Sequence, residues 1–427
     1  MFRSKIKNIE DVAAWQLCCG CGACAYISPD EIEMIDCLDV GRRPQLKNTP
    51  PQDLRSQEAL SACPGIKLNR NSLINASGAN ANLLPAWGSI LEVWEGYAAD
   101  EQIRYHGASG GAAMALGLYA VEKGQMDGVL HIKARPDVPY LNHTVLSTTR
   151  EQLLAGAGSR YAPASPCDGL NLIEKAQRPC VFIGKPCDVA AVHKSCNLRP
   201  KLKEKVGLTI AFFCAGTPAT NGTLEIFKSM GIESPEDVKS IRYRGQGWPG
   251  NATVTFSKNG KLLTKKLTYE QAWGDILQKY RQWRCYICAD HTGEFADIAV
   301  ADAWHRAVEK FQPGLSVILA RTERGKKILH QAQNDGYLHL IPSDPEILPL
   351  CRPGQLQMLG AIWGRATTLK LFGIPTPKYR GYHFLNYWLR NLNLMQKIKS
   401  TGGTIRRIFR KKLHKKSNPI FNQQQYQ

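Results

Sequence analysis

Cys18, Cys21 and Cys24 fall at every third position on a turn that carries Gly20 and Gly22, and a second pair, Cys285 and Cys288, lies far downstream between an arginine and an Asp-His. A thiolate every three residues on a tight glycine-containing turn covers several faces of an iron–sulfur cubane, whereas zinc sites usually pair two C-x2-C knuckles. The spacing therefore reads as that of a chain that moves electrons. A zinc-stabilised binding protein with no redox role is the competing reading, since two C-x2-C groups alone allow it.

Whether the thiols are ligands or disulfides depends on compartment. The chain opens MFRSKIKNIEDVAAW, with early acids and no apolar signal segment, so a cytoplasmic setting with reduced thiols is expected. No apolar stretch is long enough to cross a bilayer. Charge is unevenly spread: of the net +19, residues 347–427 supply 15 through fifteen Lys or Arg and no acid, which leaves +4 for the first 346 residues. Within that tail Ile405–Lys416 sets Ile405, Ile408, Phe409 and Leu413 among seven cations, after an aromatic stretch from Tyr382 to Leu389. Such a helix can lie on an anionic membrane surface, placing the protein peripherally at the inner face; a solvated tail ending in the polar FNQQQYQ is the alternative. No nucleic-acid recognition module accompanies the charge, and no nucleic-acid partner is expected.

The expected fold class is α/β: a mixed-sheet core (86–346) with a small N-terminal iron–sulfur module (1–85) and a basic C-terminal helical extension (347–427). The module holds an irregular stretch, Arg43 to Pro51, and a short helix near Gln57 to Ser61; Asn71 to Pro85 reads as a linker. In the core, Cys180–Gly184 and Gly207–Phe213 are short buried strands flanking a helix that Asp188 can cap and that runs to about Cys196. A right-handed crossover makes the two strands parallel, so Cys187 and Cys214 emerge at one carboxyl edge. With Cys285 and Cys288, after a helix near Tyr269 to Trp283, they form a candidate four-cysteine set. Cys18, Cys21, Cys24 and the distant Cys63 form the other. Cys19, Cys37, Cys167, Cys180, Cys196 and Cys351 are left over and read as buried, inert thiols.

Gly107-Ala-Ser-Gly-Gly111 precedes an apolar helix, Ala112 to Lys123. Ser109 can cap it, and Gly110 and Gly111 let an anion such as a nucleotide pyrophosphate approach the free amides. Beside two clusters a flavin is a natural need, because it converts one-electron transfer into two-electron chemistry on an organic substrate.

Eight motifs in order carry a resemblance: Cys18-Cys-Gly-Cys-Gly-Ala-Cys24, Ala62-Cys-Pro-Gly65, Ala108-Ser-Gly-Gly111, Gly158-Ser-Arg-Tyr161, Gly184-Lys-Pro-Cys187, Phe213-Cys-Ala-Gly-Thr-Pro218, Tyr243 to Gly250, and Arg284 to Gly293. Up to about residue 345 the chain resembles the family formed by the beta subunits of coenzyme F-420 hydrogenases and dehydrogenases. The resemblance implies an oxidoreductase with an FAD-bearing α/β core and one or two 4Fe-4S clusters. Ser28-Pro29 stands where a fourth cysteine is common, and Lys185 replaces a threonine beside the expected ligand Cys187. Expected electron donors are ferredoxin or a reduced deazaflavin, with coenzyme F-420 a candidate substrate and the organic acceptor unknown. On that path His291 and Asp302 are candidate proton donors, and Lys133, Arg242 and Arg244 candidates to hold FAD phosphates or an acidic substrate. An electron-input subunit of a larger complex is the alternative to a stand-alone enzyme.

Overall fold

The structure, a computed structural model, describes residues 5–47, 53–73, 78–307 and 312–417. Its centre is the mixed α/β sheet expected from the sequence. In chain order the strands are β1 (Glu92–Ala98), β2 (Val129–Ala134), β3 (Asn142–Ser147), β4 (Cys180–Gly184), β5 (Val206–Phe212), β6 (Ile298–Asp302), β7 (Ser316–Ala320) and β8 (Leu338–Pro342). Across the sheet they run β8-β1-β7-β6-β5-β4-β2-β3. The inner strands β2, β4, β5 and β6 are parallel neighbours, and the pairings outside them are antiparallel. All five residues of β4 are buried, which is why it reads as a continuous apolar run rather than an alternating one.

The register that pairs Gly184 with Ala211 ends β4 and β5 together. Lys185–Cys187 and Phe213–Cys214 therefore leave the sheet at the same carboxyl edge. The helix after β4, α2 (Pro186–Cys196), starts one turn earlier than expected: Lys185 is its N-cap, and Asp188, at the third position, accepts from the Lys185 backbone amide at 3.0 Å and its Nζ at 2.6 Å. The helix after the glycine turn, α1 (Ala112–Glu122), is not capped by Ser109. Gly111 holds the N-cap position at φ 74°, a left-handed conformation that favours glycine, and Ser109 Oγ instead meets Ser316 Oγ at 2.9 Å. The first amides of α1 are consequently left without a side-chain partner.

Other local expectations shift. Part of the stretch read as irregular is a strand, Gly41–Leu46, paired antiparallel with Ile32–Cys37; residues 48–52 lie outside the described residues, as do 74–77 of the expected linker and the terminal FNQQQYQ. The single helix expected over Tyr269 to Trp283 is a wide turn (Glu270–Ile276), a tight turn (Leu277–Tyr280) and a separate short helix (Trp283–Tyr286).

The three sequence segments share one core. A buried cluster joins Val12 and Leu17 of the N-terminal part, Phe182 and Val189 of the β4–α2 unit, and Leu359, Ile362 and Ile408 of the extension. Lys67–Asn69 pairs in parallel with Lys378–Arg380, and buried Arg70 makes two contacts to Glu294, at 2.5 and 2.8 Å.

His131, on β2, is buried with Nε2 2.8 Å from Ser147 Oγ. Burial, reinforced by Lys133 and His143, lowers its pKa to about 4 from 6.5. The unfolded chain then takes up a proton below pH 6.5 that the folded chain refuses until about pH 4, so stability falls as pH drops through that window by about 1.4 kcal/mol per pH unit. Urea midpoints measured from pH 7 to 4 should fall with pH, and His131→Asn should make that fall shallower by about this slope.

Candidate functional site

Two sets of thiols meet below the carboxyl edge of the sheet. Cys18, Cys21, Cys24 and Cys63 line one small cavity with Ile9 and Val12. Burial pushes the thiol of Cys24 well above its usual range, and the neighbouring Cys18, Cys21 and Cys63 add to the shift. Gly20 and Gly22 make the turn possible: both have positive φ, and a Cβ would sit 2.9 Å from Arg42 O in one case and 2.7 Å from the Asp168 amide in the other.

Cys187, Cys214, Cys285 and Cys288 gather in the second set. Cys285 is a near neighbour of Cys214 and of Cys288, and Lys185 faces both Cys187 and Cys214. A fifth member, Cys19, reads from sequence as surplus. The Cys187 thiol hydrogen-bonds to it, and with Arg284 and Arg43 nearby its pKa falls to about 6 despite burial. Cys19 also lines the small cavity of the first set, so it stands between the two groups of thiols. Cys167, which also reads as inert, hydrogen-bonds with Cys21.

The surroundings suit anionic sulfur. Backbone amides point at Cys18 Sγ (Gly20, 3.3 Å), Cys214 Sγ (Gly216, 3.4 Å) and Cys285 Sγ (Thr217, 3.4 Å). Arg284 is 3% exposed and has no carboxylate partner among the described residues; Tyr379 and then Cys19, Cys288 and Cys187 favour its charge, and its Nε has no hydrogen-bond acceptor. A buried guanidinium without a carboxylate demands negative charge nearby, which thiolate-bound clusters would supply. Among the described residues, no three His, Cys, Asp or Glu side chains are grouped to hold a single metal ion.

The second set opens onto a cavity of ≈ 330 Å³ at the carboxyl ends of β4, β5 and β6. Its inner wall is Lys185, Asp188 and Cys214, and its far end is the Gly107–Gly111 turn with Ala112, Ala113 and Met114 of α1. Uncapped amides of a helix start and a glycine turn suit a phosphate-bearing ligand. Two guanidinium groups on the wall, Arg160 and Arg352, have no carboxylate partner among the described residues and are held by neutral acceptors such as Asn142 Oδ1 and the Cys214 carbonyl. Neither stands out in the sequence, although Arg160 sits inside the Gly158–Tyr161 motif.

The other expected residues are placed as follows. Arg244 lines the cavity but is saturated: Nη1 and Nη2 reach Asp302 at 3.0 and 2.6 Å, and the remaining donors go to Pro249 O, Tyr161 Oη and Ala108 O. It has no donor left for a phosphate, and Asp302 is engaged by it and by the Trp248 indole at 2.9 Å. His291 is off the cavity wall. Its Nδ1 lies 3.0 Å from the Cys214 carbonyl, and burial lowers its pKa to about 3, which keeps it neutral. Lys133 and Arg242 do not line the cavity; Arg242 reaches Gln246.

One constellation escapes sequence reading. Cys351, on the cavity wall, lies with Sγ 3.0 Å from His305 Nδ1. His305 Nε2 is 2.9 Å from buried Glu95 Oε1, off the axis of the ring N–H, so this contact is electrostatic rather than a directed hydrogen bond. Burial raises the Cys351 pKa to about 11, so the thiol keeps its proton and donates it to the imidazole. Three residues from distant parts of the chain leave no spacing to find.

Residues 93–170 match the N-terminal part, and residues 178–346 the C-terminal part, of the family described as the coenzyme F-420 hydrogenase/dehydrogenase beta subunit. The chain belongs to this family. It is 26% identical over 275 residues to the beta subunit of the coenzyme F-420 hydrogenase of Methanosarcina barkeri, covering 62% of this chain and 86% of that protein. It is 27% identical to the beta subunit of the F-420-dependent formate dehydrogenase 1 of Methanococcus maripaludis, spanning 63% of this chain and 66% of the relative. With the beta subunit of the coenzyme F-420 hydrogenase of Methanothermobacter thermautotrophicus the identity is 24% over 68% of this chain and 99% of that one. A chain of the F-420-reducing NiFe hydrogenase complex from Methanosarcina barkeri has the same fold, with TM-score 0.55 and 24% identity over 70% of this chain and 98% of that one. The matched family segments hold most of the cavity wall and the later cysteines; the first cysteine run, Cys351 and the basic extension lie outside them.

Arg244 is 2% exposed and Asp302 20%, so removing one charge strands the other. Asp302→Asn should cost about 3 kcal/mol, read as a lower urea midpoint.

Proposed function

We propose that this chain is an iron–sulfur flavoprotein oxidoreductase that passes electrons between a small donor, ferredoxin or a reduced deazaflavin such as coenzyme F-420, and an organic substrate. The observation that carries the reading is the continuity of thiols and cavity: Cys214 belongs to the second cysteine set and is also part of the cavity wall. In this reading Cys18, Cys21, Cys24 and Cys63 hold one 4Fe-4S cluster, and Cys187, Cys214, Cys285 and Cys288 hold another, with Cys19 beside it. The α1 amides and Arg160 would hold the phosphates of FAD. Bound there, the clusters supply one-electron transfer and the flavin two-electron exchange with an organic molecule.

The protein's own residues have separable tasks. Lys185 is kept charged, against burial, by Asp188 and by Cys187 and Cys214, so it holds a positive charge between the second set and the cavity. Arg352 presents a second cation to an acidic ligand. Cys351 holds a proton at the cavity wall, with the His305 imidazole beside it, a task for which His291 and Asp302 are poorly placed.

A second reading, an electron-input subunit of a larger assembly, is supported by the relatives, which are named as subunits of hydrogenases and dehydrogenases. In that case the isolated chain would oxidise its donor only with an added dye or a partner protein.

Anaerobically purified protein should absorb broadly near ~400 nm, with a bleachable flavin band and about eight irons and eight sulfides per chain, the expectation for two cubanes. Cys24→Ser and Cys288→Ser should each remove about half of the iron. A colourless protein holding zinc would overturn the reading. Cys351→Ala should slow deazaflavin turnover roughly a hundredfold and alter its pH profile, while dithionite-driven dye reduction, which requires no proton at the cavity, stays unchanged.

A further inference from the structure

The extension contains three longer helices, α3 (Gln355–Leu371), α4 (Phe384–Asn391) and α5 (Leu394–Arg410). A helix on a folded protein ordinarily turns its apolar side inward. In α5 much of that pattern is reversed. Its buried positions are Ser400, Thr404 and Ile408, spaced by four and 2%, 0% and 0% exposed. Ser400 Oγ accepts from the Trp388 indole at 3.1 Å and packs on Gly364 of α3. The outward side carries Leu394, Ile398, Ile405 and Phe409, exposed by 74%, 52%, 40% and 58%. Their helical spacing puts them in one stripe about 22 Å long.

The stripe is open and extends beyond α5. A side chain at Gly402, within it, would meet nothing within 4 Å. Phe372, at the end of α3, lies 6.0 Å ring to ring from Phe409 and is itself exposed, as is Leu389 of α4. Exposed Lys399, Arg406, Arg410, Lys412 and Lys415 accompany it, none in an ion pair within the described residues. The sequence suggests an amphipathic helix over Ile405–Lys416. The structure divides those residues differently, because Ile408 and Leu413 are buried in the shared core while Ile405 and Phe409 face out.

We propose that this face is the surface on which the protein lies against an anionic phospholipid bilayer, with α5 in the membrane plane, its apolar stripe at the acyl boundary and its cations at the level of the phosphates. The charge decides between occupants. Residues 347–427 carry no acid, so a second copy of this face would oppose cation to cation. A surface that is anionic at its rim and apolar beneath is the chemistry of an acidic-lipid interface. This placement is independent of the redox reading.

The test uses the full-length, cofactor-loaded protein and vesicles of phosphatidylcholine with or without one part in about three phosphatidylglycerol. Deleting the extension would remove part of the core, so exposed positions are changed instead: Ile398→Ser, Ile405→Ser and Phe409→Ser together, and separately Lys399→Glu with Arg410→Glu. The unchanged protein should sediment with anionic vesicles, less so at high salt and weakly with neutral ones. Each variant should lose about tenfold or more in vesicle affinity while its visible spectrum and melting temperature stay the same. Undiminished binding by the triple-serine variant, or no sedimentation of the unchanged protein, overturns the proposal. So does a dimer seen by sedimentation velocity without lipid that the serine substitutions convert to monomer, since the face would then join two copies.

Discussion

A guanidinium buried without a carboxylate must be compensated by other charge, and the arrangement around Arg284 follows from that need. Its hydrogen bonds go to the carbonyls of Ile287 and Pro64. Ile287 precedes Cys288 of the second set, and Pro64 follows Cys63 of the first. One side chain thus ties together two loops more than two hundred residues apart in sequence and places a positive charge between the two groups of thiols. Lys185 repeats the theme where the second set meets the cavity, although Asp188 shares its charge. The cations and amide N–H groups around these thiols oppose the cost that burial places on the thiolate, which is the state a metal cluster requires.

The sheet determines where this field is useful. Parallel strands that end in register deliver their following loops to one edge, and in open α/β folds ligands gather there. Here that edge supplies Cys187 and Cys214 on one side and the cavity on the other, so no separate device is needed to bring a ligand close to the thiols. The antiparallel strands β7 and β1 extend the sheet, and Ser316 at the start of β7 anchors Ser109 and the Gly110 amide. The glycine turn is held by the sheet, which leaves the helix amides to face the cavity.

Much of this is legible in the sequence because it is local. Cys180–Gly184 and Gly207–Phe213 are short apolar runs with breakers between them, and the crossover rule orders them without further information. Cys187 and Cys214 follow from that topology. What could not be read depends on contacts between distant residues. Cys19 looks redundant beside Cys18 until the fold brings Cys187 to it. Arg244 and Asp302 each look like free functional groups, and only their juxtaposition shows that they neutralise one another. Ser109 has the right chemistry for a cap, but the backbone turns left-handed at Gly111 and moves the cap there. Arg43 to Pro51 has proline and polar residues that suggest irregular chain, yet its first part is a strand because Ile32–Cys37 supplies a partner.

The extension has a structural role that composition alone conceals. A run of cations with no acids suggests a solvated tail, but its last described turn is bound to the N-terminal helix Ile9–Ala14: Lys416 Nζ meets Asp11 Oδ1 at 2.5 Å, the Ser417 amide donates to Ala14 O, and Gln16 Nε2 donates to Lys411 O. That helix contributes Ile9 and Val12 to the cavity shared by the first four thiols. Burial of Ile408 and Leu413, at about 1.5–3 kcal/mol each, therefore steadies the wall of the first cysteine set as well as the extension itself. The helix whose inner side secures that wall is the one that leaves Leu394, Ile398, Ile405 and Phe409 exposed, so a surface bound there is mechanically connected to the cysteine-rich end of the molecule.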